Sequence, residues 1–252
     1  MKAYIINLER DTDRREYMER LMREMPFVEP EFVSAVYGRA LGPVEKRRVF
    51  DQRRFGYVFS GVASDGEIGC AVSHYNVWRR MTEGVDNVAF VFEDDVLFED
   101  DFRPLAEWSV RWLDSPKPRV VLFSHYFFYL PWNRGNEGGY YFSSRPRNAF
   151  GTYCYGINKT GARLLTALGK PHYLSDDWDY FQKRGLEMRA PLGHPVSVDY
   201  GFEANIVQRS AYVVSKLDAG AQLAEPCRFS RVGEFYRLII YKAGLMRFYG
   251  KG

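Results

Sequence analysis

Three consecutive carboxylates, Glu93, Asp94 and Asp95, follow directly on an uninterrupted apolar run, Val88 to Phe92 (VAFVF). Such a run is the pattern of a strand covered on both faces, and in open α/β sheets ligands gather beyond the carboxyl ends of the strands. Hard carboxylate oxygens placed there can hold Mg²⁺ or Mn²⁺ against a diphosphate. The plainer alternative is a solvated acidic turn whose aspartate caps the next helix. A second acidic group, Asp176, Asp177 and Asp179, lies in SDDWDYF.

The elements that must position these groups are legible around them. YIINL (Tyr4 to Leu8) reads as a buried opening strand. Asp11 or Thr12 then caps a helix running towards Met25, with Tyr17, Met18, Leu21 and Met22 on one side. Glu31 to Val36 reads as a second strand and Pro43 onward as a charged, exposed helix. Ser64 and Glu67 have the spacing of a capping box, introducing a helix through Ile68, Val72, Tyr75 and Met81 that stops at Gly84. After the acidic triplet come a helix over about 102–113 and a strand at RVVLF (Arg119 to Phe123). The stretch from Ser124 to Phe150, rich in Tyr, Phe, Gly, Asn and Pro, reads as one long loop. A strand over Thr152 to Ile157, helices over about 160–168 and 176–184, and a strand at PVSVDY complete the pattern. Strands separated by helical stretches imply a mainly parallel, doubly wound sheet.

Composition narrows the function classes. A net charge of +3 spread evenly over 252 residues is not the concentrated basic face of a nucleic-acid binder. Aromatic residues make up 17% of the chain, enough for stacking surfaces as well as a core. Cys70, Cys154 and Cys227 are three and widely separated, which supports neither a disulfide framework nor a zinc motif and points to a reducing compartment. The opening segment is interrupted by Asn7, Glu9 and Arg10, unlike a signal peptide, and no run approaches a membrane span.

Four stretches together resemble glycosyltransferase family 25, the lipopolysaccharide and lipooligosaccharide sugar transferases, whose relatives include collagen galactosyltransferase domains. They are INLERDTDRR (Ile6 to Arg15), DGEIGCAVSHYNVW (Asp65 to Trp78), VFEDDV (Val91 to Val96) and GTYCYGINKTGARLL (Gly151 to Leu165). The resemblance implies a GT-A type fold, an inverting mechanism and a divalent metal on the nucleotide diphosphate. Glu93 and Asp95 then take the outer, metal-binding positions of a DxD-like motif and Asp94 the middle one. Departures lie at Cys154 and Tyr155, where smaller residues are common, and at Glu203 to Ile206, which match the late motif loosely.

Within that resemblance, Asn7, Leu8, Arg10 and Arg14 fall where the nucleotide is cradled, because Arg pairs bidentately with phosphate and Asn reads a base edge. Arg15 reads equally as an exposed helix residue. Ser73 and His74 fall in the donor pocket or serve the helix structurally. Transfer to a sugar hydroxyl needs a carboxylate within hydrogen-bond reach. Asp177 takes that role as catalytic base, with Asp176 as helix cap and Trp178 stacked on a pyranose; the alternative is charge favoured at a helix start.

The expectation is an α/β catalytic domain over 1–225 and a basic, amphipathic, helical segment over 226–252, where Val232, Phe235, Tyr236, Ile239 and Ile240 recur amid Arg and Lys. The expected activity moves a hexose, galactose by family resemblance, from a UDP-sugar to a lipid-linked oligosaccharide, assisted by Mn²⁺ or Mg²⁺. The expected location is cytoplasmic, on the anionic inner face of the inner membrane, with no nucleic-acid partner. A glycoside hydrolase using paired carboxylates, or a non-catalytic sugar-binding or membrane scaffold, are the alternatives.

Overall fold

The computed structural model describes residues 1–59, 61–123, 126–193, 195–199, 201 and 247–249. Strand β1 (Lys2–Asn7), helix α1 (Thr12–Arg23) and strand β2 (Glu29–Ser34) open the chain. Helices α2 (Pro43–Val49), α3 (Gln52–Phe59) and the long α4 (Asp65–Glu83) lead to β3 (Val88–Glu93) and β4 (Val96–Phe98). Next come α5 (Phe102–Leu113), β5 (Arg119–Leu122), and four short strands, β6 (Tyr126–Tyr129), β7 (Arg134–Glu137), β8 (Tyr140–Ser143) and β9 (Arg147–Phe150). The described chain ends with β10 (Cys154–Asn158), α6 (Lys159–Thr166), α7 (Trp178–Gln182), β11 (Glu187–Pro191), β12 (Val196–Val198) and β13 (Arg247–Tyr249).

The large sheet has the order β2-β1-β3-β10-β5-β11-β8-β7. β1 runs parallel to β2 and β3, and β5 parallel to β11, while β10 is antiparallel to both β3 and β5. β8 is antiparallel to β11 and β7 to β8. Six strands therefore share one direction and only β8 and β10 are reversed, which makes the sheet mostly parallel, as the alternation of apolar runs and helices implies. β10 is reversed because β5 ends at the carboxyl edge of the sheet and the chain returns from that same edge, pairing Tyr155 with Leu122.

Strand alternation sorts the apolar residues onto two faces. Tyr4, Ile6, Val91 and Leu122 pack with Val77 and Trp78 of α4, Leu165 of α6 and Phe181 of α7. Ala3, Ile5, Phe90, Phe92 and Val121 pack with Met18 and Met22 of α1 and Phe102, Leu105 and Trp108 of α5. Both faces are covered, so the sheet is doubly wound.

Helix α4 starts as its sequence dictates: Glu67 N–H donates to Ser64 Oγ at 3.3 Å, and Ser64 N–H donates to Glu67 Oε2 at 2.6 Å. Its first turns press backbone to backbone on the segment after β2. A Cβ at Gly38 would lie 1.8 Å from the Asp65 carbonyl oxygen, and one at Gly69 2.5 Å from that of Val36. Only glycine fits at either position.

Some expectations are corrected. The charged helix after Pro43 is two helices, broken at Phe50, whose ring is buried with Phe55, Ile68 and Val72. The aromatic stretch read as a loop holds β6 to β9, four-residue strands too short and too interrupted by Gly, Asn and Pro to show a period. β11 adds a strand to the expected elements, Glu187 and Arg189 alternating with the buried Met188 and Ala190 as in a half-buried strand. Residues 247–249, expected to be helical, form β13 against β6. The amphipathic positions Val232 to Ile240, Cys227 and the late motif at 203–206 lie outside the described residues. No described helix is long and apolar enough to cross a membrane.

Candidate active site

The parallel pairing of β1 with β3 aligns Ile6 with Glu93. The residues that follow each strand therefore emerge at one edge of the sheet, and Asn7 meets Asp94. Asn7, buried at 3% exposure, donates from Nδ2 to Asp94 Oδ2 at 2.8 Å and to the Asp11 carbonyl at 3.2 Å. Arg14 reaches the same point from α1, its Nη1 donating to Asp94 Oδ1 at 2.6 Å and to Asp95 Oδ2 at 3.0 Å. Tyr17, one turn on, ties its hydroxyl to the Val96 carbonyl at 2.8 Å. Helix α1 thus holds the acidic turn in place.

The three carboxylates have three different surroundings. Asp94 is buried, which raises its pKa although Asn7 and Arg14 pull it down. Asp95 is pushed up to about 7, by burial first and the neighbouring charge of Glu93 next, with Arg14 opposing. Asp95 Oδ1 accepts no hydrogen bond among the described residues. Burial also pushes Glu93 up, but the nearby His74 and the Thr152 hydroxyl outweigh it, leaving Glu93 below the usual carboxylate range. Thr152 Oγ1 donates to Glu93 Oε1 at 2.6 Å, and His74 Nε2 lies 3.4 Å from the same oxygen.

His74 is fully enclosed, its Nδ1 3.0 Å from the Tyr155 hydroxyl, which also accepts from Trp78 Nε1 at 2.8 Å. The motif residue Tyr155 therefore supports His74 from the core. Ser73 is engaged by backbone: its hydroxyl donates to the Gly69 carbonyl at 2.7 Å and accepts from Val36 N–H at 2.8 Å. It shapes the segment leading to Tyr37.

Beside the acidic turn lies a cleft of ≈ 190 Å³ lined by Leu8, Glu9, Arg10, Ser34, Ala35 and Tyr37. The Arg10 guanidinium sits 3.7 Å from the centre of the Tyr37 ring, a flat cation-π pair of the kind that presents a planar surface. Exposed Arg15 pairs with Glu19 at 2.9 Å and stacks on Phe32, as its alternative reading had it. The Arg14 guanidinium is engaged by the two carboxylates of Asp94 and Asp95.

The second acidic group is arranged differently from expectation. Asp177, not Asp176, caps α7, its carboxylate accepting from Tyr180 N–H at 3.2 Å. Asp176 Oδ2 accepts from Gly151 N–H at 3.1 Å, and Asp179 Oδ1 from Asn148 N–H at 3.1 Å. The partner of Asp179 lies in β9, and that of Asp176 lies in the connection between β9 and β10 that also supplies Thr152. Asp176 lies close enough to Cys70 to raise its pKa electrostatically, as Glu93 does. The helix begins one residue later than the sequence implied, which makes Asp177 the cap and leaves Asp176 to the Gly151 N–H. Trp178 is completely buried, donating from Nε1 to the Gly151 carbonyl at 3.0 Å and packing edge-on against Tyr155. It belongs to the core and offers no face to a sugar.

Residues 1–178 match the family described as glycosyltransferase family 25 (LPS biosynthesis protein). Among curated proteins, procollagen galactosyltransferase 1-A of Xenopus laevis is 32% identical over 119 residues, 46% of this chain and 19% of that protein. Procollagen galactosyltransferase 2 of Homo sapiens is 37% identical over 105 residues, covering 40% of this chain and 17% of that protein. A glycosyltransferase 25 family member of Drosophila melanogaster is 36% identical over 108 residues, 42% and 18% of the two chains. The alignments span about a fifth of the length of these relatives. The matched segment carries Asn7, Arg14, the acidic turn, His74 and Asp176, all gathered at one edge of one sheet, and this chain belongs to glycosyltransferase family 25.

Proposed function

We propose that this chain transfers a hexose, with inversion, from a UDP-sugar to a saccharide hydroxyl in a GT-A type, metal-assisted site. The supporting observation is Asp95, a half-buried carboxylate whose enclosed Oδ1 lacks a donor among the described residues and whose pKa is raised to about 7 beside Glu93. An ionised Glu93 that disfavours the ionisation of Asp95 two residues on fits a divalent cation that would offset both charges. Glu93 and Asp95 would hold Mn²⁺ or Mg²⁺, which when bound supplies charge neutralisation for a departing diphosphate.

The chain's own residues divide the remaining work. Leu8, Arg10 and Tyr37 line the cleft for the nucleobase, Tyr37 and Arg10 offering a stacking surface. Asn7 and Arg14 orient Asp94, and Asp94 in turn holds Arg14 beside Asp95. Asp176 takes the role of base towards the acceptor hydroxyl in place of Asp177, since Asp177 is engaged as a cap. His74, with Thr152, fixes the orientation of Glu93.

Galactose is the favoured sugar because the curated relatives are named as galactosyltransferases. A lipooligosaccharide or lipopolysaccharide core is the favoured acceptor because the family is described by LPS biosynthesis. Family membership supports transfer over the hydrolase and scaffold alternatives. The basic, aromatic segment at 228–251 is proposed to rest on the anionic cytoplasmic membrane surface. Titration calorimetry with UDP and a panel of UDP-sugars, with and without Mn²⁺, tests the reading. Metal-dependent binding of UDP supports it, and identical UDP binding after chelation removes the metal from it.

A further inference from the structure

Cys70 and His74 stand one helical turn apart on α4, on the face directed at the end of β3. Cys70 Sγ, a His74 ring nitrogen and a Glu93 carboxylate oxygen all lie within 4.8 Å of one another. We propose that these three side chains form a second cation site, selective for a thiophilic divalent ion, Zn²⁺ foremost, which shares Glu93 with the Glu93–Asp95 position.

The donor set carries the selectivity. Thiolate, imidazole and carboxylate together match zinc, whereas a thiolate is a poor ligand for Mg²⁺ or Mn²⁺. Zinc bonds of about 2.0–2.3 Å at tetrahedral angles put ligand atoms roughly 3.5 Å apart. The His74 Nε2 to Glu93 Oε1 separation of 3.4 Å already meets that spacing. Cys70 Sγ, now 3.0 Å from Ser175 Oγ, needs only a small inward movement.

The surroundings also supply the orientation that a zinc-binding histidine needs. With the proton on Nδ1, His74 donates to the Tyr155 oxygen, which accepts Trp78 Nε1–H on its other lone pair. The Nε2 lone pair then faces Glu93 and Cys70. On binding, the Cys70 S–H bond breaks, its proton leaves to solvent and a metal–sulfur bond forms, with no change of oxidation state. Binding of zinc here takes Glu93 from the neighbouring position. That consequence rests on the transferase reading, whereas the site itself does not.

Co²⁺ added to the full chain under reducing conditions is the direct probe. The parent is expected to develop a thiolate-to-cobalt charge-transfer absorbance that excess Zn²⁺ abolishes. Cys70→Ser is expected to lose the band, and Asp95→Asn to keep it. No band in the parent, or an undiminished band in Cys70→Ser, overturns the site. X-ray absorption of the zinc-loaded parent needs no variant: a sulfur scatterer beside imidazole supports the site, and a purely nitrogen and oxygen shell overturns it. Zn²⁺ should weaken Mn²⁺-dependent UDP binding at least tenfold more in the parent than in Cys70→Ser. Equal weakening in both overturns the sharing of Glu93.

Discussion

Asn7 and Asp94 lie 87 positions apart in the chain, and the Asn7 amide donates to the Asp94 carboxylate across 2.8 Å. The contact exists because β1 and β3 are parallel neighbours that end at one edge of the sheet. It is buried, so removing either partner leaves the other polar group without its hydrogen bond in a place water reaches poorly. The acidic turn is therefore held by the opening strand and helix.

Asp95→Ala should lower the affinity for UDP in the presence of Mn²⁺ by roughly 10²-fold, the cost of a lost charge-assisted ligand. The far-ultraviolet circular dichroism spectrum should stay that of the parent. Calorimetry decides it: parental affinity in the variant would remove Asp95 from the cation site.

The raised pKa of Asp95 sets the direction of pH dependence. A carboxyl with pKa about 7 in the fold and an ordinary value of 3.8 when unfolded binds more protons folded. Its contribution to stability is thus fully present below the ordinary value and is lost as pH rises towards 7. A cation reverses this, because it binds the ionised form. Thermal stabilisation by Mn²⁺ should be larger at about pH 8 than at about pH 5.5, and Asp95→Asn should flatten the difference. Equal stabilisation at both values would sink the assignment.

Asp176 and Asp177 should separate cleanly. Asp176→Asn should depress kcat by about 10² to 10⁴ while UDP-sugar binding stays near parental, as expected of a base. Asp177→Ala should lose about 1 kcal/mol of helix capping, read as a melting point lower by roughly 2–4 °C, with turnover within a few-fold. The reverse pattern would return the base to Asp177.

Gly38→Ala or Gly69→Ala should destabilise by about 2–3 kcal/mol, because the added carbon meets backbone that cannot move aside. The melting temperature should fall by roughly 5–10 °C. A variant that melts with the parent would mean that α4 does not press on the segment after β2.

Liposome sedimentation addresses the C-terminal segment. Pelleting of the chain with anionic vesicles, reduced in about 0.5 M salt, is expected from its cluster of Arg and Lys. Equal pelleting with neutral and anionic vesicles would count against a membrane role.

The amino-acid pattern alone determined the order of the main elements. The apolar run before Glu93, the Ser64–Glu67 capping box and the α1 stripe are local signals, each enforced by neighbouring residues, and all appear where expected. It also located the acidic turn, since a carboxylate cluster after a buried strand can only sit at a strand end. What tertiary structure decided was partnership. That Arg14 serves Asp94 and Asp95 follows from the pairing of β1 with β3, and that Trp178 is core follows from how α7 packs on Tyr155. The capping role of Asp177 turned on a one-residue shift in where α7 begins, a choice made by contacts with the β9–β10 connection. The reversal of β10 and the pairing of β6 to β9 depend on where a returning chain meets the sheet edge, and no periodicity within four residues encodes that. Local chemistry is written in spacing, whereas the meeting of Cys70, His74 and Glu93 needed a helix and a strand brought together by the fold.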